Sequence, residues 1–510
     1  MEPLLSSTLL LSALLGGFPS APPQTPVTPA RCVGLLCLSA RPAEPREAPI
    51  LSIRQAPGQV AAPLVDGRAC PGCPKRRLGH AFIQATIING FYELANLIRG
   101  QDTAKITPST WWLNMKRGWE WDLDDFVVNQ IGHPYQGNNY YTAGRANGLN
   151  FWESSALTAF GSGTWEFFGE TNQASLNDLI NTTLGGIALG EMFYRTSWLI
   201  RNTQKTGKAR LWSEIGATVA DPIGGINRFI SGDSARVVEK PRDVVPSALG
   251  STIVAGALWR GSNHETINSA GFGFLETEVL YGDPTTGRSR TPYDAFGLRL
   301  DIGGGSALSE ARVRGRLIGQ PYKGGAVQLN VAQAYQFNSN TAYRFGAQAF
   351  EVNLSFVKNF SSTVSMWTAG WGGVTVLGAV DSLPPGATPG EPPPEEPTDP
   401  DAGQGVSTGP RFYDYGPGTN FGGLFFLRHG ARPFLLFSYE AHHLYIVDGI
   451  RANHLLQRMR LDLRAPLKGR VGIGGAAEFF DRRTYYQTEG VAAGKFRFPQ
   501  VRLYLTWSAS

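Results

Sequence analysis

The chain has 510 residues, a formal net charge of +5 and 42% hydrophobic residues. That length exceeds what a single compact core supports, so at least two domains are expected. The charge is only mildly basic and the arginines are scattered among apolar residues, which argues against a nucleic-acid partner. No segment offers about 18 uninterrupted apolar residues, which argues against a bundle of membrane-crossing helices.

Residues 1–24 have the pattern of a signal peptide. Leu4 to Leu15 form a short apolar run, followed by Gly16, Gly17 and Pro19-Ser20-Ala21, although Glu2 stands where Lys or Arg is usual. Residues 25–75 are a Pro/Ala-rich linker that holds all four cysteines, Cys32, Cys37, Cys70 and Cys73. Cys70-Pro71-Gly72-Cys73 has redox- or zinc-like spacing. Its Pro-rich surroundings favour structural disulfides in an oxidising periplasm.

Residues 76–235 read as a helical domain. A first helix is expected over about residues 81–99, with Asn89, Glu93 and Asn96 on one face. Asn150 and Glu153 form a capping-box pattern that announces a second helix, along which Ser155, Ser162, Glu166 and Glu170 make a polar stripe. Ser175 and Asp178 repeat the pattern for a third helix reaching about residue 200. Within it, Gly186 and Gly190 permit close approach of another backbone. The run from Asp221-Pro222 to Asn227-Arg228 is expected to be a closing turn.

Charged and amide residues between Trp119 and Glu191 interrupt sequence otherwise made of Trp, Phe, Leu, Ile and Gly. A buried charge costs several kcal/mol unless paired, so this density predicts a dedicated polar network. Its expected members are Asn89, Glu93, Asn129, His133, Arg145, Ser162, Trp165, Glu166, Glu170 and Asp178.

From residue 246 to 510 the period changes to two. Arg312, Arg314 and Arg316 alternate with Val313 and Leu317; Arg460, Asp462 and Arg464 with Leu461 and Leu463; Gln500, Arg502, Tyr504 and Thr506 with Val501, Leu503, Leu505 and Trp507. Segments of roughly 10 residues between turns predict an antiparallel outer-membrane-type β-barrel of roughly 10 to 14 strands. Tyr281, Tyr335, Tyr343, Trp367, Trp371, Tyr439 and Tyr445 would form its interfacial girdles. Residues 382–409, rich in Pro and Glu, read as one long loop. The competing architecture is a soluble β-sandwich, whose buried rows look alike in sequence. The fold class expected is therefore α+β, with the helical domain ahead of the barrel.

No P-loop, H-E-x-x-H, G-x-S-x-G or EF-hand pattern is present and the residues call for no cofactor; the Glu166–Glu170 pair could hold a divalent metal with His133, and the Glu120–Asp125 run could ligate calcium, yet spacing assigns no metal site. His133 is a candidate acid/base, oriented by Glu166 or Glu170, with Ser154, Ser155 or Ser162 as a possible nucleophile. The plainer reading has His133 bonded to a carboxylate, locking the loop before the second helix. Arg145 is the nearest basic partner in sequence for the Glu166–Glu170 pair. Asp178 is explained by capping, Glu191 points away from it toward solvent, and Glu120, Asp122, Asp124 and Asp125 form a solvated acidic face. Lumen arginines are expected to pair across the barrel.

The run Asn129, His133-Pro134, Gly137, Tyr140-Tyr141, Arg145, Gly148, Trp152, Ser155, followed by Ser162, Trp165-Glu166, Glu170, Ser175, Asp178, Gly185-Gly186 and Gly190-Glu191, resembles the bacterial family built on domain of unknown function 3943. Asp221-Pro222 and Asn227-Arg228 look like its closing element, and the Asp414-Tyr415-Gly416-Pro417-Gly418 turn extends the likeness into the barrel half. The resemblance implies an exported envelope protein of Gram-negative bacteria and carries no catalytic residue over. The helical pattern is also distantly similar to VanZ-like helical membrane domains, an analogy of fold only. The expected role is an outer-membrane barrel whose helical domain is structural, or binds an unidentified lipid or small molecule and gates the barrel. The alternatives are an envelope enzyme acting on lipid or glycan, and a passive porin or transporter.

Overall fold

The structure, a computed structural model, describes residues 74–238, 240–261, 270–284, 287–340, 343–385, 413–430 and 432–509. The expected leader, the four cysteines and most of the 382–409 loop lie outside these residues.

Alternating inward-polar and outward-apolar side chains close the second half into one antiparallel barrel of twelve strands. They are β1 (Leu249–Arg260), β2 (Ala270–Tyr281), β3 (Phe296–Gly303), β4 (Ser306–Tyr322), β5 (Val327–Ser339), β6 (Arg344–Asn359), β7 (Val364–Asp381), β8 (Tyr413–His429), β9 (Arg432–Tyr445), β10 (Ala452–Pro466), β11 (Val471–Tyr486) and β12 (Gly494–Ala509). Each pairs with the next, and β12 returns to β1 with Leu505 opposite Ala255. A single closed sheet replaces the β-sandwich alternative.

Register fixes which row faces where. On β10, His454, Leu456, Arg458, Arg460 and Asp462 are buried inward, while Met459, Leu461 and Leu463 are exposed outward. On β12, Gln500, Arg502, Tyr504 and Thr506 are buried, and Val501, Leu503 and Leu505 are exposed. The barrel's first and last strands share one rim, since Ser251 pairs with Ala509. Connections at that entry rim are short (323–326, 360–363, 430–431, 467–470) apart from 282–295, while the opposite rim carries 382–412. Short turns on the rim that holds both ends of the barrel, with the longest loop opposite, are the outer-membrane arrangement.

The lumen is filled in layers. Toward the far rim, Phe345, Val380, Leu444, Leu456, Phe480 and Phe498 form an apolar cluster. Below it Glu276 meets Arg299, Arg460 and Arg502, and Glu478 meets Arg458, Arg460 and Arg502. Below these pairs a cavity of about 510 Å³ reaches the entry-rim ends of the strands.

The helical half comprises α1 (Leu78–Ile98), α2 (Pro108–Arg117), α3 (His133–Ala146), α4 (Phe151–Phe168), α5 (Leu176–Ile180), α6 (Gly186–Ile200), α7 (Gly207–Ala220) and α8 (Pro222–Ile230). π-helical turns at Val128–Gly132 and Asn181–Gly185 lead into α3 and α6. None of the described helices is long and apolar enough to cross a membrane. One expected capping box forms, Asn150 exchanging bonds with Glu153. At Ser175 the box is corrected to a single cap, since Ser175 Oγ accepts from the Asp178 N–H while the Ser175 N–H goes to Glu166 and the Asp178 carboxyl turns to His133.

Three local expectations are corrected. His133 starts α3 instead of sitting in a loop; HPYQGNNYYTAGRA has no apolar stripe because nearly all its faces are covered. Asp221-Pro222 begins α8 with Asp221 as N-cap, since Pro at the first helical position loses no hydrogen bond. Asp414 to Gly418 is strand, with Pro417 in a bulge.

The helices pack on the outside of the barrel. Phe126, Tyr141, Phe151, Ile187 and Met192 meet outward-facing Phe296, Val313, Tyr335, Phe337, Leu377 and Tyr415 in one buried cluster. Backbone carbonyls of the helical half accept bonds from the wall: Tyr335 Oη donates to Gln130 O at 2.6 Å and Gln333 Nε2 to Leu184 O at 2.8 Å. The covered band runs obliquely from Tyr281 and Phe296 at the entry rim to Tyr413 and Tyr415 at the other. This redistributes the expected girdle. Tyr281 and Tyr335 lie under the helices, Tyr343 packs inward on Phe480, and Trp367 and Trp371 line the lumen cavity. Only Tyr439 and Tyr445 face outward from bare wall.

Gly137 and Gly186 let α3 and α6 touch: a Cβ on Gly137 would lie 1.8 Å from Thr182 O, and one on Gly186 2.5 Å from the Gly137 backbone. Gly137→Ala is expected to destabilise the helical half by about 1–3 kcal/mol or more. Hydrogen exchange should show α3 and α6 losing protection while β10 to β12 keep theirs.

Candidate functional site

The sequence-predicted residues divide into three groups. The first is at the seam with the barrel. Asp122 precedes the first π turn, His133 opens α3, and Asp178 lies in the first turn of α5. One ligating atom from each falls within 4.8 Å of the others. His133 Nε2 is 3.4 Å from Asp178 Oδ1, and Nδ1 is 3.3 Å from Thr182 Oγ1. Asn129 Nδ2 donates to Asp122 Oδ1 at 3.0 Å, and Asn177 Nδ2 to the same oxygen at 2.8 Å. From the barrel, Tyr413 bonds Asn129 and Tyr415 Oη is 3.3 Å from Asn177 Nδ2. Burial lowers the His133 pKa, favouring the neutral imidazole, and burial together with the Asp122 charge holds Asp178 well above the ordinary carboxylate range.

The second group lies between α1 and α4. Glu166 accepts the Ser175 N–H at 2.8 Å, and Glu170 accepts Trp165 Nε1–H at 2.9 Å. Asn89 bonds Tyr140 and donates to Thr164, while Ser162 Oγ donates to Leu179 O. The shielded carboxylate oxygens of Glu93 have no hydrogen-bond partner among the described residues. Burial raises Glu166, with the Glu170 charge adding to it; burial and then Asp124 push Glu170 up to about 7.

The third group is an ion-pair cluster that the sequence reading assigned otherwise. Arg145 does not serve Glu166 or Glu170; its Nε is 3.0 Å from Glu191 Oε2 and its Nη2 3.2 Å from Asp243. Arg195 Nε meets Glu191 Oε1 at 2.7 Å, and Tyr141 Oη donates to Glu191 at 2.7 Å. Glu191 is 0% exposed. Helix α6 lies between α3 and the barrel side, so the face turned away from Asp178 is covered too.

Two other expectations change. Asp122 is half-buried and bonded instead of lying on a solvated face. Ser155 Oγ bonds Phe151 O and Ser162 Oγ bonds Leu179 O, so neither is poised as a nucleophile by His133. His133 is 7% exposed, and the carboxylate it meets is that of Asp178, not of Glu166 or Glu170. The residues missed from sequence are Asp122, Asn177, Tyr413, Tyr415, Arg195 and Asp243. The usable signal was a pair of tyrosines two apart at a strand start, aimed at the same outward row.

Residues 118–223 match the model of the family described as Domain of unknown function (DUF3943), so the resemblance read from this region holds there. No curated protein matches the chain. Solved structures similar to it include the NanC porin, 7% identical, with 49% of this chain and 98% of that one covered and a TM-score of 0.24. The KdgM porin is 8% identical over 51% and 99%, with a TM-score of 0.22. The anion-selective porin from Comamonas acidovorans is 8% identical over 51% and 99%, with a TM-score of 0.21.

Removing one partner of a buried pair leaves an uncompensated charge, so Glu191→Gln should destabilise the helical half by about 3–5 kcal/mol, read by denaturant unfolding. A pH series probes the second group. Glu170 holds its proton up to about 7 when folded, against an ordinary value of 4.5. The folded state therefore binds more protons across that window, and stability should fall as pH rises through it. Glu170→Gln should flatten that slope; an unchanged slope would remove Glu170 as its source.

Proposed function

With residues 118–223 matched to a domain family of unknown function, we propose that this protein is an outer-membrane barrel of a Gram-negative cell that holds a helical domain beside it in the bilayer. The barrel is the scaffold, and the polar core of the helical domain is the ligand-binding or structural element.

The observation that carries this reading is the apolar exterior of the helices. Ile87 is 64% exposed, Phe91 68% and Phe229 78%, and Leu94, Ile98, Trp112, Trp152, Trp212 and Ile230 are exposed with them. Soluble monomers rarely present contiguous apolar surface on this scale. Here it flanks the outward apolar row of the barrel, where Leu503 is 69% exposed. A helical domain packed on that row shares its surroundings, and hydrocarbon satisfies both. Ionisable groups sealed inside a lipid-facing domain mark function more often than stability, because their burial is costly.

The lumen supports a scaffold over a passive pore. Its arginines are engaged by carboxylates, as expected from the sequence, and an apolar layer lies above them. Acid–base catalysis by His133 with Glu166 draws no comparable support, since the recorded partners of His133 are Asp178 and Thr182.

Leu503→Arg tests the placement. Arginine on a lipid-facing strand costs about 2–4 kcal/mol near the bilayer middle, falling toward the interfaces. Urea titration of liposome-folded protein should show that loss; a loss within about 0.5 kcal/mol, the usual size at a water-exposed surface, would refute lipid contact there. Planar-bilayer recording of the purified chain should give no steady conductance, and stable open channels would restore the porin reading.

A further inference from the structure

We propose that Asp122, His133 and Asp178 bind one divalent transition-metal ion at the seam between the helical domain and the barrel wall. The three donors come from three separate segments and gather within 4.8 Å of one another. With zinc bonds of about 2.0–2.2 Å in a tetrahedron, donor atoms lie about 3.3–3.6 Å apart, a spacing His133 Nε2 and Asp178 Oδ1 already have at 3.4 Å.

Charge supports the same conclusion. Asp178 is buried and Asp122 half-buried, and the two carboxylates lie side by side next to a buried imidazole. Two carboxylates this close need a shared proton or a cation between them. The surrounding amides repeat the pattern independently. Asn177 Nδ2 lies 2.8 Å from Asp122 Oδ1, 3.0 Å from Asp178 Oδ1, 3.2 Å from Asn129 Oδ1 and 3.3 Å from Tyr415 Oη. Asn129 Nδ2 adds a second amide donor to Asp122 Oδ1 at 3.0 Å, so amide N–H groups hold the Asp122 and Asp178 oxygens beside each other, as hydrogen-bonded outer contacts orient carboxylate ligands.

The outer contacts fit a ligand histidine. Thr182 Oγ1 sits against His133 Nδ1, and with Nδ1–H donating there, the Nε2 lone pair faces Asp178. Half-buried Asp122 leaves an approach from outside. One imidazole with two carboxylates and no thiolate suits zinc, manganese or ferrous iron, and suits calcium or copper(I) less well.

The test uses the full chain purified in detergent, stripped with a chelator and titrated with zinc by equilibrium dialysis. One zinc per chain is expected. His133→Ala and Asp178→Asn should each weaken binding by more than about 100-fold, and Thr182→Val, which keeps shape and removes only the outer contact, by about 10- to 100-fold. Glu489→Gln, on an exposed turn between β11 and β12, should leave binding unchanged. Circular dichroism and protease digestion check that each variant folds. Should His133→Ala unfold, the Thr182→Val loss and a cobalt visible spectrum of the wild type showing mixed nitrogen and oxygen ligation carry the test. Wild-type protein that takes up no zinc or cobalt, or binding that survives an Asp122→Asn/Asp178→Asn double variant, would overturn the site.

Discussion

The outward row of the barrel wall is the constraint from which the rest follows. Closing twelve strands fixes every second side chain to the outside, and over much of the wall that row is apolar, the surface that the proposed bilayer placement would meet with hydrocarbon. Along β3 to β8 the same row meets helices instead, at Phe296, Val313, Tyr335, Phe337, Leu377 and Tyr415. Polar groups are admitted to it where a helix partner exists: Gln333 reaches Leu184 O, and Tyr335 reaches Gln130 O. Gln333 and Tyr335 would each carry an unsatisfied group in lipid, at a cost of several kcal/mol per group. The wall and the helical domain therefore presuppose each other.

The same constraint organises charge inside the helical half. A domain with an apolar exterior has few places for ionised groups except between its elements. The arginine cluster around Glu191 resolves this by pairing, with Arg145 and Arg195 on opposite oxygens of one carboxylate. The carboxylates on the other side, Asp122, Glu166, Glu170 and Asp178, resolve it by shared hydrogen bonds and, for the latter three, by raised proton affinity. The π turn at Asn181–Gly185 separates the two regimes along one continuous helical path, changing the phase between Asp178 and Glu191. Buried pairs of the first kind seldom add net stability over an apolar core, whereas they set a specific geometry.

Legibility in the sequence tracked how local each signal was. The N-caps at Asn150 and Ser175 involve contacts three residues apart and were readable directly, whereas the Ser175 N–H left its expected Asp178 partner for Glu166 on another helix. Inward Arg460, Asp462 and Arg502 were readable because a strand's period of two needs no partner information. Helix α3 was not, since a helix enclosed on most sides shows no amphipathic stripe. Nor was the difference between Tyr335 and Leu503: an outward row covered by helices and one left uncovered have the same composition. Asp122 failed for the opposite reason. An acidic run before a helix usually meets water, but Asn129 and Asn177, seven and fifty-five positions later, draw it inward.

The division of labour between wall and lumen follows from the layers of the barrel interior. An interior that conducts needs a continuous wetted path, but Glu276 and Glu478 each bind three lumen arginines, Glu276 reaching across to Arg460, and Phe345, Phe480 and Phe498 cluster above. Opening that path would strand several buried charges at once, each at a cost of several kcal/mol. The seam has no such penalty: Asp122, His133 and Asp178 come from three segments of one domain, and Tyr413 and Tyr415 reach their amide neighbours Asn129 and Asn177 from the outside of the wall. The candidate site of this protein therefore lies on the outer face of its barrel, where helix and strand meet.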